Sequence, residues 1–375
     1  MRKFLFPLLS TIALTCFAQT EEPNVMVIHY NNGTEAKVKI HNVGHIEFLT
    51  VDDLTTFEDA QNPTGPSETP DPTDPTDPDD PQLPTEDPKV GDYFYSDGTW
   101  SDGGLISIDA DGQNAVWKAT KPAPIEGKTV IGIVFSTDPS RMSQAERDAG
   151  FTHGYVIGCK NITDPQKKNY AQYPESVWFA SHYAYTNDLV QVNQVAKTAK
   201  TCYNNIEGYT ETKTIIAKND PEWYYDDIPM FWYGTQAYPV AAPKNTSGWY
   251  IPSIGQMWDC VANFCSGEVA AFLAENRTNT SDFTYYVSKN NLSAAPLPQF
   301  LKVFELVPAD QKDDMTIPDN GFTSNNSATI ALATSTRYDD ESRVIINLGV
   351  GNNKLVEGMA EWFDGETHAR PVLAF

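Results

Sequence analysis

The stretch from Ser247 to Asp259, reading SGWYIPSIGQMWD, constrains the fold more than any other part of the chain. A polar run, Pro243 to Ser247, leads into a short apolar segment. Pro252 ends that segment, because proline lacks an amide proton and fixes φ. Ser253 then stands where a helix N-cap stands, and Gln256 three residues on completes a capping-box pattern. Ile254, Met257, Trp258, Val261 and Phe264 recur at helical spacing, and Ser266-Gly267 supplies a stop. The pattern predicts a strand that turns sharply into an amphipathic helix over 254–265, with a second helix over Glu268 to Glu275. No side chain in it is an obvious nucleophile or base.

Elsewhere the spacing predicts strands. Val90 to Ser101 reads as a hairpin turning at Asp97-Gly98. Thr129 to Phe135 is a β-branched and apolar run, a buried strand whose partner is Gly154 to Cys159. Ser143 to Ala149 reads as a short helix or an inserted loop. Ile330 to Ala333, Val344 to Leu348 and Val372 to Phe375 are expected to close the sheet. Near the N-terminus, Val25 to Tyr30 and Ala36 to Ile40 flank the turn signal Asn31-Asn32-Gly33-Thr34. The expected organisation is a leader over 1–18, a hairpin module over 19–60, a spacer over 61–88 and a large domain over 89–375.

Charge supports this division. The net charge is -24, yet from Ile40 to Pro88 there is no Lys or Arg and there are thirteen Asp or Glu. The Pro-Thr-Asp run from Thr69 to Pro78 lies inside that region. Proline and like-charge repulsion make such a run an extended spacer, about 3 Å per residue. Nucleic acid and anionic membranes are not expected partners, since phosphate binding needs clustered Lys and Arg. Arg2 and Lys3 followed by apolar Phe4 to Phe17 form an export leader. Cleavage before Gln19 is one reading; lipidation of Cys16, giving a lipid anchor, is the other. Either way the protein is exported, to the cell surface, outer membrane or medium. No later apolar run reaches the roughly 20 residues of a membrane helix. Cys159, Cys202, Cys260 and Cys265 remain, with no zinc-ligand spacing, and buried free thiols are expected.

Several motifs resemble one family. Gly248 to Gln256 looks like the "GW-x-[LI]-P-[ST]-x-x-[EQ]" core of secreted bacterial C-type-lectin-like domains. These are the major-paralogous-domain and Lcl types, related to the formylglycine-generating-enzyme fold. Ala369 to Phe375 resembles their "VRPVLAF" ending, Ala333 to Tyr338 their "WSSTEY" strand, and Gly91 to Ser101 their "GDYYYSDGTWS" opening. The N-terminal hairpin is similar to one found in exported envelope proteins of Gram-negative anaerobes. The resemblance implies an α+β, C-type-lectin-like fold over 89–375: a twisted antiparallel sheet, one or two helices and long irregular loops. It does not imply formylglycine-generating activity, which uses a cysteine pair near the C-terminus; no Cys lies beyond Cys265.

Three kinds of site are candidates. Exposed aromatics stack on sugar rings or anchor protein partners. Trp223, Tyr224, Tyr225 and Asp226 form the first such set, and Trp362 with Asp364 the second. The other rings between Asn219 and Pro239, and Trp249 and Trp258, are expected in the core. Asp109, Asp111 and Asn114 form a fragment of a calcium loop that lacks the terminal Glu, so Ca2+ is the one cofactor considered. Glu22-Pro23-Asn24 matches a lectin calcium signature but lies outside the domain. Catalytic chemistry would need Ser181, His182 and Asp188 as a triad, or paired carboxylates such as Asp226 with Asp227 or Glu361 with Asp364. The expected function is non-catalytic recognition of a glycan or a surface protein by a domain on a stalk. A structural envelope or surface-fibre component is the alternative, and a secreted glycoside hydrolase the second.

Overall fold

The computed structural model describes residues 25–29, 35–39, 86–109, 114–165, 177–188, 190, 195–219, 222–315, 329–362 and 366–375. Two compact units divide the chain, residues 1–75 and 76–375. In the first, β1 (Val25–His29) pairs antiparallel with β2 (Glu35–Lys39), as the turn signal between them predicts. Cys16 and Glu22 to Asn24 lie outside the described residues.

The second unit is built on two antiparallel sheets. Its strands are β3 (Tyr93–Tyr95), β4 (Trp100–Ser101), β5 (Leu105–Ile108), β6 (Ala115–Trp117), β7 (Val130–Ser136), β8 (Tyr155–Gly158), β9 (Val177–Trp178), β10 (Ser288–Lys289), β11 (Thr329–Leu332), β12 (Ser342–Gly349), β13 (Val356–Trp362), β14 (Glu366–Thr367) and β15 (Val372–Ala374). A five-stranded sheet runs β15-β8-β7-β3-β4 and a four-stranded sheet runs β10-β13-β12-β11. The helices are α1 (Gln144–Asp148), α2 (His182–Thr186), α3 (Ala199–Asn204), α4 (Gly208–Lys218), α5 (Tyr224–Asp227), α6 (Pro229–Gly234), α7 (Ile254–Cys265), α8 (Gly267–Asn276), α9 (Phe283–Tyr286) and α10 (Pro296–Leu301).

The five-stranded sheet is covered on both faces, which is why β7 reads as an unbroken apolar run. Tyr93, Tyr95, Ile133, Phe135, Tyr155 and Ile157 face one core, and Phe94, Ile131, Val134, Val156, Leu373 and Phe375 face a second. The larger core is crossed by α7, which packs on both β7 and β12. Eleven of its residues are buried, so it is apolar on nearly every side, as a helix between two sheets must be. Trp258 at its centre is fully buried, 5.7 Å from the Tyr203 ring and 5.5 Å from Phe283.

Much of the predicted layout holds. The capping box at Ser253 and Gln256 forms, α7 spans the predicted residues, and α8 follows it. The β3–β4 hairpin turns at Gly98, whose φ of 81° suits glycine. The segment before α7 is extended chain docked on β15 through reciprocal amide bonds between Tyr250 and Val372, of 2.9 and 2.8 Å.

Three expectations are corrected. The domain carries two principal sheets rather than one, and more than one or two helices pack on them. Most of the unforeseen helices have four to six residues, too few to display a 3.6-residue period. Residues 333–338 are not a continuous strand: they hold isolated bridges, because the Thr334 and Thr336 side chains bond to backbone groups.

Candidate functional site

The motif around Ser253 builds the densest polar constellation in the described chain, and it is sealed from solvent. Ser253, Gln256, Ser335 and Thr336 are fully buried, as is Glu146 in α1, and Glu211 in α4 is 4% exposed. Glu146 accepts hydrogen bonds from Tyr155 Oη at 2.5 Å, Tyr250 Oη at 2.6 Å and the Ser143 amide at 3.0 Å. Gln256 Nε2 donates to Tyr250 Oη at 3.0 Å, and its Oε1 accepts from the Ser253 amide at 2.9 Å. Ser253 Oγ donates to the Asn205 carbonyl at 2.7 Å. Asn205 Nδ2 lies 2.9 Å from Glu211 Oε1 and 3.0 Å from Thr336 Oγ1. Ser335 Oγ lies 2.5 Å from Glu211 Oε2.

One connected network therefore joins α1, β8, α4, the turn into α7 and the segment before β12. Burial, its first cause, raises Glu146 above the ordinary carboxylate range and Glu211 to about 7. Two raised carboxyls resemble acid-base machinery, but here both are buried and engaged by neighbouring side chains. Their chemistry is cohesion: each buried donor has an acceptor, which fixes one packing of the surrounding elements. At the C-terminal motif buried Arg370 is held through two nitrogens: its Nε donates to Asn161 Oδ1 at 2.9 Å and its Nη2 to the Asp313 carbonyl at 2.5 Å, while its buried Nη1 has no hydrogen-bond partner.

A second carboxylate with a raised pKa borders a shallow depression lined by Glu86, Lys89, Asp92, Trp100, Ser101 and Asp102. Burial pushes Asp92 up to about 6, and nearby Asp102 adds to the rise. Both its oxygens are engaged by backbone amides, from Gly103 at 3.0 Å and Lys89 at 2.8 Å. That is the geometry of a loop clasp.

The predicted aromatic residues are distributed unevenly. Trp223 is 50% exposed on the turn that leads into α5, and Asp226 is exposed beside it. For Tyr224 and Tyr225 only the backbone is described. The neighbouring rings Phe231, Tyr233 and Tyr238 are buried, as are Trp249 and Trp258. Trp362 is 59% exposed at the end of β13; Asp364 lies outside the described residues. Trp223 and Trp362 are thus carried by different elements, the turn before α5 and the end of β13.

Sequence reasoning missed Tyr183, which is 58% exposed on α2. Its helix is tied to α5: the Ser181 amide donates to the Asp227 carbonyl at 2.9 Å, and Ser181 Oγ donates to Asp227 Oδ1 at 3.2 Å. The Asp227 amide in turn donates to the Trp223 carbonyl at 2.8 Å. A short path of hydrogen bonds thus links the backbones that carry Tyr183 and Trp223. The same contacts bear on the paper triad. Ser181 Oγ caps α2 by accepting from the Ala184 amide at 3.1 Å, so it serves as a helix cap bonded to Asp227. The Asp226–Asp227 pair is likewise split, one carboxyl exposed and the other bonded to Ser181.

In the 109–114 loop, Asn114 Nδ2 donates to Asp109 Oδ2 at 2.6 Å, and Asp111 lies outside the described residues. Among the described residues no group of three His, Cys, Asp or Glu side chains is placed to hold a metal ion. The four described cysteines are free and buried, and burial pushes the Cys159 thiol up to about 12. No described helix is long and apolar enough to cross a membrane.

The molecule is thus an α+β protein whose polar constellations are internal and whose aromatic outliers are at the surface. No protein-family model matches the chain, and no curated protein matches it. Among solved structures it is similar to a fimbrial protein from Bacteroides ovatus ATCC 8483, with 16% identity and a TM-score of 0.39. The match covers 77% of this chain and 49% of that one, so it spans about half the length of the solved protein.

Proposed function

We propose that the chain is an exported, non-catalytic recognition protein whose 89–375 domain is C-type-lectin-like and is carried on the acidic spacer. The recognition surface is the corner formed by Trp223 and Tyr183, with Asp226 beside it, and the ligand is a neutral glycan. One observation carries this reading: within a region dense in aromatic residues, most rings are buried while these two stand about half exposed on elements tied by the Ser181–Asp227 bonds. Large exposed rings lose hydration cheaply and present flat faces to sugar rings. The carboxylates of Glu222 and Asp226 accept hydrogen bonds from hydroxyls and repel anionic sugars.

The test is retention on gels containing immobilised neutral polysaccharides, comparing the full chain with Trp223→Ala and Tyr183→Ala. Retention that either variant loses, with unchanged thermal stability, supports the corner. Retention equal in all three proteins moves the site elsewhere, with Trp362 next. No retention on any polysaccharide favours a structural role in an envelope assembly.

A further inference from the structure

We infer that Glu211 keeps its acid proton until pH reaches neutrality and that this proton latches α4 onto the turn into α7. The first ground is the surroundings of the carboxyl. It is buried, and both of its hydrogen-bond partners, Asn205 Nδ2 and Ser335 Oγ, are neutral. A buried carboxylate without a cation is costly, and the group neutralises instead. The charged groups around it supply no compensation. On its own side Glu207 is anionic and adds to the upward shift. The Lys213 ammonium is engaged with the Tyr209 hydroxyl and ring. Arg337, beyond Ser335, bonds Asp340 at 3.4 Å. Asp259 on α7 pairs with Arg141 at 2.7 Å. On α1, which packs against α4, the Glu146 carboxyl is engaged by Tyr155, Tyr250 and the Ser143 amide, and the residues of α6 are uncharged.

The second ground is proton stoichiometry. Ser335 Oγ has one hydrogen and two acceptors within reach, Glu211 Oε2 at 2.5 Å and the Pro252 carbonyl at 3.3 Å. An ionised Glu211 takes that hydrogen and leaves the Pro252 contact unmade. A protonated Glu211 donates to Ser335 Oγ, and the serine hydrogen goes on to Pro252. The Pro252 carbonyl already accepts the Ser335 amide at 2.8 Å, so the relay Glu211→Ser335→Pro252 adds a hydroxyl contact to that pairing and ties α4 to it with one proton. Glu146 differs in its donors: three of them, two being phenols, converge on its carboxyl and offset part of the upward shift that burial causes.

The sign follows. Glu211 titrates near 7 in the fold, above its ordinary value of 4.5. Its contribution to stability is complete below the ordinary value and is lost as pH rises through about 7. The latch opens on the alkaline side, at the α4 end of the network.

The experiment is amide hydrogen exchange of the full chain and of Glu211→Gln, followed over residues 205–219 and corrected for intrinsic rates, from about pH 5 to 8. Gln mimics the neutral acid, because its amide nitrogen donates where the acid proton does. In the wild type the opening equilibrium of α4 should rise by about tenfold per pH unit up to the midpoint, relative to the variant. Identical pH profiles overturn the inference, as does a variant less protected than the wild type at the alkaline end. If Glu211→Gln does not fold, 13C-carboxyl spectra of the wild type and of Glu146→Gln decide. A Glu carboxyl titrating near 7 in both supports the latch; all Glu carboxyls titrating below about 5 overturn it.

Discussion

Ser253 closes two things at once. Its hydroxyl accepts from the Gln256 amide, which caps α7, and donates to the Asn205 carbonyl at 2.7 Å, which holds the turn before α4. Ser253→Ala removes both and leaves the Asn205 carbonyl with the Gly255 amide alone, at 2.9 Å. The expected cost is about 1–3 kcal/mol, read from urea unfolding of the wild type and variant. A neutral result would mean that water enters and replaces the hydroxyl. This residue was legible from its neighbours alone, because a capping box is a local pattern. Its partners were not. Glu146, the Asn205–Glu211 pair and the Ser335–Thr336 pair come from three distant parts of the chain, and nothing in local spacing marks them as one network. Their only signal was the unusual number of small hydroxyl residues in Thr334-Ser335-Thr336. Tyr183 was invisible for a related reason: exposure is a property of what packs nearby, and Ala184 beside it in the chain is fully buried.

At the scale of elements, close approach decides what substitutions α4 and α7 tolerate. A Cβ on Gly255 would collide with the backbone carbonyls of Tyr203 and Asn205, and one on Gly208 would collide with Gln256 and the Ser253 amide. Alanine is the better helix former by roughly 1 kcal/mol, so propensity alone predicts stabilisation. Contact predicts the reverse. Gly255→Ala and Gly208→Ala are expected to lower the melting temperature, since neither α3 nor α4 can then reach the turn into α7; a raised melting temperature would show that the backbones separate freely. Element length also governed what the sequence revealed. The helix α7 has twelve residues and a capped start, so its period and its boundary are both readable. By contrast α5 and α6 have four and six residues rich in aromatics, with no period to read. The strand β13, VEGMAEW, holds Gly and two Glu and looks like a loop. It is a strand because β12 pairs with it along its whole length, from Ser342 with Trp362 to Leu348 with Val356.

For the molecule as a whole, charge and burial act in the same direction. The net charge reaches its formal -24 only as the last carboxyls ionise, and self-repulsion then disfavours the compact state. Asp92 and Glu211, raised to about 6 and about 7, each contribute stability that is complete below their ordinary values and lost as pH rises through those midpoints. Asp97, Asp102 and Glu268 are shifted downward and oppose this, but they lie near the surface where solvent screens them. The melting temperature is therefore expected to be higher at about pH 5 than at about pH 8. An increase across that interval would mean that the surface pairs outweigh the buried carboxyls. The central claim is that this chain recognises its ligand with surface aromatic rings while its polar groups lock the interior. Its most direct test is a glycan array probed with the full chain in a chelating buffer. Binding to neutral glycans that persists without divalent cations, and that Trp223→Ala abolishes, is the predicted result. Binding that needs calcium and ignores Trp223 would contradict it and direct attention to the 109–114 loop.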